Sequence, residues 1–222
     1  MQSINIYDLK NQEFNPENEV RAFENEEQQF INDFNEKLRT FLIENNVTPN
    51  CYKNFMVVTD KVYNQTVRVK GEVVRQVIMQ ESYQAYYREN AQSKPIGALV
   101  TLCKTEDAEK VKGILESQFN LQFDQHTFDI LRIIQSASDV RKANFKVKIE
   151  TVNSVSMGGT RVDCTEYYSR MLQQGNLRAV IITYDMPNQT VTLRISVEGN
   201  ILLYNQIDNT EVLDLVEQLL AI

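Results

Sequence analysis

Residues 15–49 read NPENEVRAFENEEQQFINDFNEKLRTFLIENNVTP. Asn15-Pro16 offers a helix cap followed by proline at the first helical position. Glu17 and Glu19 would sit in a first turn, where the helix dipole favours negative charge. From there Val20, Phe23, Glu27, Phe30, Phe34, Leu38 and Phe41 recur every three or four residues, apolar throughout except at Glu27. That spacing predicts one long amphipathic helix over residues 16–45, with a phenylalanine-rich face. Asn45-Asn46 and Pro49 would end it.

Downstream the period changes. Phe55 to Thr59 is a short apolar run. Residues 62–70 alternate, with Val67 and Val69 opposite Arg68 and Lys70, and residues 73–79 continue in the same manner after Gly71. This predicts two or three antiparallel strands with one wet face. Tyr83, Tyr86 and Tyr87 stand at helix-compatible spacing within 80–93. Residues 93–97 (Ser-Lys-Pro-Ile-Gly) are the best linker candidate. Beyond it come a strand (98–103), helices (105–119 and 125–137), a strand (144–152), a glycine-containing loop (154–161) and a helix (165–174). Three strands (177–185, 189–197, 200–205) follow. Asp208 and Glu211 form a capping box that opens a final helix. The N-terminal residues Ile4, Ile6 and Leu9 could dock as an edge strand.

These signals predict an α+β fold: antiparallel sheets backed by helices, with a long N-terminal amphipathic helix and a C-terminal helix. Two regions are expected, 1–97 and 98–222, which could form one compact domain. Val57-Val58-Thr59 with Asn64-Gln65-Thr66-Val67 matches Ile181-Ile182-Thr183 with Asn188-Gln189-Thr190-Val191 at a constant offset. A two-half pseudo-repeat is one explanation, and two hairpins with similar turns is the other.

Composition restricts function. The chain has 222 residues, 42% hydrophobic and 24% charged, so a packed core is expected rather than disorder. Net charge is −7, which disfavours nucleic acid and anionic membranes through the average field. Asn and Gln, about one residue in six, are dispersed rather than tracted. Seven glycines form no phosphate-binding fingerprint, so no cofactor is expected. Three widely spaced cysteines point to a reducing compartment, cytoplasmic or nuclear. No signal peptide or apolar span is visible.

Candidate chemistry is sparse. His126 is the single histidine, which excludes histidine-rich metal sites. A Cys–His pair built on Cys103 or Cys164 remains open, as do Asp163 and Cys164 as metal ligands. Neither is surrounded by a recognisable pattern, so no catalytic residue and no metal is assigned. In the loop 154–161, Ser156, Gly158, Gly159 and Arg161 could hold an anion. The alternative is an ordinary flexible connection. The basic stretch 141–148 could contact nucleic acid, or its lysines could protect an exposed strand.

Large apolar surfaces suggest partners instead. Phe23, Phe30, Phe34 and Phe41 line the predicted long helix. At ~1.5 Å per residue its ~30 residues would reach ~45 Å, beyond the ~30–35 Å width of a compact domain of this size. Tyr83, Tyr86, Tyr87 and Arg88 are residue types enriched at interface hot spots. They are equally common at the edge of a core. The sequence therefore points first to a non-catalytic protein-binding subunit or adaptor, in a homo- or hetero-oligomer. The alternatives are an enzyme or small-ligand protein with a scattered site near 154–166, and nucleic-acid contact through 141–148.

Overall fold

The computed structural model describes residues 1–10, 20–88 and 97–222. The elements, in chain order, are β1 (Gln2–Leu9), β2 (Phe23–Ile31), β3 (Phe34–Val47), β4 (Lys53–Tyr63), β5 (Val67–Val69), β6 (Glu72–Val74), β7 (Val77–Arg88) and β8 (Ala98–Thr101). Then come α1 (Thr105–Phe119), β9 (Phe123–Gln125), α2 (Ile130–Ser136), β10 (Asp139–Ile149), β11 (Val152–Gly158), α3 (Glu166–Gln174), β12 (Gly175–Asp185), β13 (Thr190–Ser196), β14 (Asn200–Leu203) and α4 (Asn209–Leu220). The described chain is mostly antiparallel strand, with four short helices.

This overturns the predicted α+β architecture at its central feature. No long N-terminal helix exists among the described residues. Phe23–Val47 is a β-hairpin, with Phe23 opposite Leu42 and Ile31 opposite Phe34. The start of the predicted helix, with its Asn15-Pro16 cap, lies outside the described residues, as does most of the linker candidate. The hairpin is closed by the two-residue loop Asn32-Asp33, with φ of 47° and 68°. Two positive φ values match the right-handed twist of the flanking strands, and Asn and Asp tolerate them better than other side-chain-bearing residues. The spacing of Phe30 and Phe34 imitates a helix because the chain reverses between them.

The chain divides into two compact units. The first comprises Met1–Asp8, Leu102–Glu106 and Phe123–Ile222. Its sheet runs in the order β11-β10-β12-β13-β14-β1, with β9 also paired to β1. Ala143, Val180, Ile195, Ile201 and Ile4 form one row across five strands, each at most 2% exposed. Helix α3 packs on β10, where Tyr168 meets Phe145 edge-on at 5.5 Å. Helix α4 buries Val212, Leu213, Leu215, Val216 and Leu219. Both halves of its capping box, Asp208 and Glu211, are formed.

The second unit comprises Leu9–Thr101 and Asp107–Gln122. Its sheet runs β8-β7-β4-β3-β2, and β5–β6 forms a separate hairpin. Phe23, Leu42, Val57 and Tyr83 make a row across four strands. Phe119 of α1 meets Phe23 edge-on at 5.8 Å, and Asp107 accepts a hydrogen bond from the Tyr83 hydroxyl at 3.2 Å, so α1 lies against this face.

Three smaller expectations also change. Residues 80–88 are strand, so Tyr83 and Tyr87 share one face while Tyr86 takes the other. Residues 154–158 belong to β11 rather than to a loop. The matched segments differ in pairing. After Asn188-Gln189, β13 pairs back onto β12, whereas after Asn64-Gln65, β5 pairs with β6 and not with β4. The two-half repeat is therefore not carried by these hairpins.

Candidate functional site

The two tight hairpins of the second unit flank an open groove. Beside the Asn32-Asp33 loop stands that of β5–β6, Lys70-Gly71, also with two positive φ values (49° and 90°). Asn32 fixes the tip of the first hairpin to the strand entry that follows the second. Its Nδ2 donates to the Gln76 carbonyl at 2.7 Å, and its Oδ1 accepts from the Gln76 and Arg75 amides at 3.2 and 3.3 Å. One amide side chain thus satisfies three backbone groups, as a neighbouring strand would.

The groove so formed has a volume of about 1150 Å³. Phe30, Phe34, Val69 and Val73 line it, exposed by 66, 69, 51 and 59% respectively. Phe30 and Phe34 occupy opposite faces of the β2–β3 ladder, so the tip is apolar on both sides. Asp33, Glu36, Glu72 and Arg75 also line the groove, and among the described residues none of the three carboxylates has an ion-pair partner. Further along the same ladder Lys37 pairs with Glu26 at 2.7 Å and Arg39 with Asp60 at 3.6 Å, while Glu24, Glu27 and Glu44 have no ion-pair partner among the described residues.

The remaining interface candidates lie elsewhere. Phe23 is half-buried against Phe119, and Phe41 is half-buried in β3. Tyr83, Tyr86, Tyr87 and Arg88 are at most 8% exposed and belong to the core, where the Arg88 guanidinium lies 4.9 Å from the Tyr52 ring centroid. Tyr83 also anchors a polar network. The Tyr63 hydroxyl donates to Glu81, the Tyr83 hydroxyl stands between Glu81 and Asp107 and shares its one proton between them, Lys61 reaches Glu81 at 3.3 Å, and Lys110 reaches Asp107 at 2.9 Å. Burial, reinforced by Glu81 and Asp107, pushes the Tyr83 phenol well above its ordinary range. Burial alone would raise the Asp107 carboxyl, but hydrogen bonds from Lys110 and Tyr83, with the charges of Lys110 and Lys61, hold it below the usual carboxylate range. The ionisable groups of this network face one another, as in a structural lock.

In the first unit, Arg161, Asp163 and Cys164 come together on a 3₁₀ turn leading into α3. Arg161 Nη2 is 3.2 Å from Cys164 Sγ, which is 3.4 Å from Asp163 Oδ2. Burial first, then the Asp163 charge, pushes the nearby Tyr168 phenol up to about 12. His126 is engaged with another group. Its Nδ1 lies 3.0 Å from both carboxylate oxygens of Asp8, and its ring stacks edge-on with Phe128 at 4.7 Å. The thiol thus has a guanidinium and a carboxylate beside it, while the imidazole is partnered by Asp8.

The glycine segment is part of an extended edge strand and the turn after it. Gly158 pairs with Lys142, Ser156 pairs with Asn144, and the Gly159 amide donates to the Arg141 carbonyl at 3.0 Å. Among the described residues, no group of three or more His, Cys, Asp or Glu could hold a metal ion. Cys51, Cys103 and Cys164 are all free thiols. No described helix is long and apolar enough to cross a membrane.

The β2–β3 reversal falls inside the span whose spacing suggests a helix. Asn32-Asp33 between apolar residues is a turn signal of the Asn-Gly kind. No protein-family model matches the chain, and no curated protein resembles it in sequence.

Proposed function

We propose that this protein is a non-catalytic protein-binding subunit or adaptor whose docking surface is the hairpin-tip groove of the second unit. The observation that carries the reading is the pair Phe30 and Phe34, about two-thirds exposed at a tip held in place by the Asn32 clamp. Aromatic side chains on a fixed support are the usual anchors of protein interfaces, because little conformational entropy is lost when they bind. The groove is open and exceeds the ~300–1,000 Å³ usual for small-ligand sites, which favours a polypeptide over a metabolite. The reading places the protein in the cytoplasm or nucleus, in keeping with three free thiols.

The test compares wild type with Phe30→Ser/Phe34→Ser. Both would be followed by size-exclusion chromatography with light scattering and by quantitative affinity purification from the native cell. An oligomer or a stoichiometric partner should be present with wild type and lost in the double variant, with the circular dichroism spectrum unchanged. A monomer whose recovered partners are the same for both proteins would refute the reading, as would turnover of a substrate by the purified chain.

One observation favours a second reading, nucleic-acid contact around 141–148. Lys146, Lys148 and Arg178 line a groove of about 640 Å³ that contains no carboxylate, although Arg178 is paired with Glu198. No aromatic side chain lines it to stack on bases. This reading would show as binding that weakens steeply with salt.

A further inference from the structure

We infer that the outer edge of β11 is a second interaction site, which takes an extended segment of another protein in which acidic and apolar residues alternate. The site belongs to the first unit and does not rest on the docking role of the hairpin-tip groove. Among the described residues β11 ends its sheet, so only one of its edges is paired. The Gly159 amide donates to the Arg141 carbonyl. Antiparallel alternation then turns the backbone groups of Met157 and Val155 towards β10, and those of Ser154, Ser156 and Gly158 outward. Ser154, Ser156 and Gly158 are exposed, so their outward groups are open to a further strand.

An open edge is usually blunted by charge or proline on the edge strand itself. Strand β2, which ends the sheet of the second unit, carries Glu24, Glu26 and Glu27. Strand β11 reads VNSVSMG, with neither a charged residue nor a proline. The cations stand one strand further in. Lys142 lies beside Gly158 and Lys146 beside Ser154 on the exposed face of β10, and Lys148 follows on that face. The short side chains of β11 leave these lysines room to reach over it. None of the three has an ion-pair partner among the described residues. The carboxylates of the hairpin are Asp139, paired with Arg141 at 3.5 Å, and Glu150 in the turn. This face therefore keeps a positive charge in a chain of net charge −7.

The opposite face supplies the apolar half. Val155 and Met157 continue the row of Phe145 and Ala143, which are 1% and 0% exposed, but are themselves only half-buried at the end of the sheet. An added strand with apolar side chains beside Val155 and Met157, and carboxylates on the lysine face, would cover the first and pair the second. A second copy of β11 has no carboxylate and would bring another row of lysines to the seam. Nucleic acid would meet the lysines but leave Val155 and Met157 uncovered.

The experiment uses the full chain and fluorescein-labelled probes read by anisotropy. They are a short alternating glutamate–valine peptide, its lysine–valine counterpart, the glutamate–valine peptide with every backbone amide methylated, and a single-stranded RNA of equal charge. The glutamate–valine peptide should bind, and each of the others should be weaker by about tenfold or more. Ser156→Pro removes an outward amide at an edge position that tolerates proline, and should abolish binding with the circular dichroism spectrum unchanged. Lys142→Glu/Lys146→Glu should weaken binding about tenfold, whereas Phe30→Ser/Phe34→Ser should leave it unaltered. The methylated peptide tests the backbone contact without altering the protein.

Absence of glutamate–valine binding overturns the inference. Equal binding of the lysine–valine peptide overturns its acidic chemistry, and equal binding of the methylated peptide overturns strand addition. Tighter binding of the RNA makes this face a nucleic-acid site instead. A wild-type dimer, seen by light scattering, that Ser156→Pro dissociates makes the occupant a second copy. Peptide binding lost in Phe30→Ser/Phe34→Ser but kept in Ser156→Pro moves the contact to the hairpin tip, which defeats the inference and leaves the docking groove standing.

Discussion

Hairpins β2–β3 and β12–β13 are built on opposite economies of burial. In β12–β13 the inward residues Val180, Ile182, Val191, Leu193 and Ile195 are all fully buried, and the strands read as alternating apolar runs. In β2, seven consecutive residues, Glu24 to Phe30, are exposed, and inward contact is confined to the ends of the strand. A buried face imposes period two on a strand, since every second side chain must be apolar. A hairpin with water on both faces imposes no such period. Its apolar residues fall where its turn and its function put them, and in residues 23–41 they fell at helical intervals by accident of the reversal at Asn32-Asp33.

Truncation separates the two hairpins most directly. Leu193→Ala should cost about 2–5 kcal/mol, whereas Phe30→Ala should change stability by no more than about 0.5 kcal/mol. Chemical denaturation of the two variants checks this, and equal losses would mean that the β2–β3 tip is part of the core. Turn glycines give the next contrast. Gly199, which leads into β14, has φ of +72°, and a Cβ there would stand 2.3 Å from the His126 carbonyl oxygen. Gly71 in the β5–β6 turn has φ of +90° and nothing within 4 Å. Gly199→Ala should therefore cost about 3 kcal/mol or more, and Gly71→Ala about 1 kcal/mol, by thermal unfolding.

Asn32 holds the β2–β3 tip to the start of β7. Asn32→Ala removes three hydrogen bonds and places alanine at positive φ, for an expected loss of about 1–2 kcal/mol. Asp33→Gly should act in the opposite direction and stabilise the turn by up to about 1 kcal/mol.

The smallest effect concerns acid. The depressed Asp107 carboxyl contributes stability that is complete above the unfolded value, about 3.9, and is lost as pH falls through its lower folded value. Asp107→Asn should lower the melting temperature modestly at neutral pH. The gap to wild type should close on acidification below about pH 4. A gap that widens in acid would show that Asp107 is not held by Lys110 and Tyr83.

Legibility in the sequence followed local determinism. The Asp208–Glu211 capping box, α1 with Ala108, Val111, Leu115 and Phe119 inward, and the strands of 177–203 could be read because their own residues carry cap, period and burial together. Tyr83, Tyr86 and Tyr87 could be helix or strand by spacing alone, and pairing with β4 decided it. Ser156 and Gly158 looked like part of a free loop until their strand aligned with β10, and the Gly159 and Arg161 amides are taken by the Arg141 carbonyl and the Asp139 carboxylate. Arg161 and Cys164, three residues apart, did meet, but His126 was taken by Asp8, far away in sequence.

By itself the chain's composition limited the chemistry: one histidine, few glycines, a negative surface and no clustered ligands. Its local pattern also marked where α1, α3 and α4 begin, but not α2, which starts at Ile130 rather than at 125. Long-range pairing had to choose between helix and strand for 23–47. A backbone amide takes its partner from four residues back or from another strand, and the strand was supplied by β4, well beyond the window in which a periodic pattern can be read.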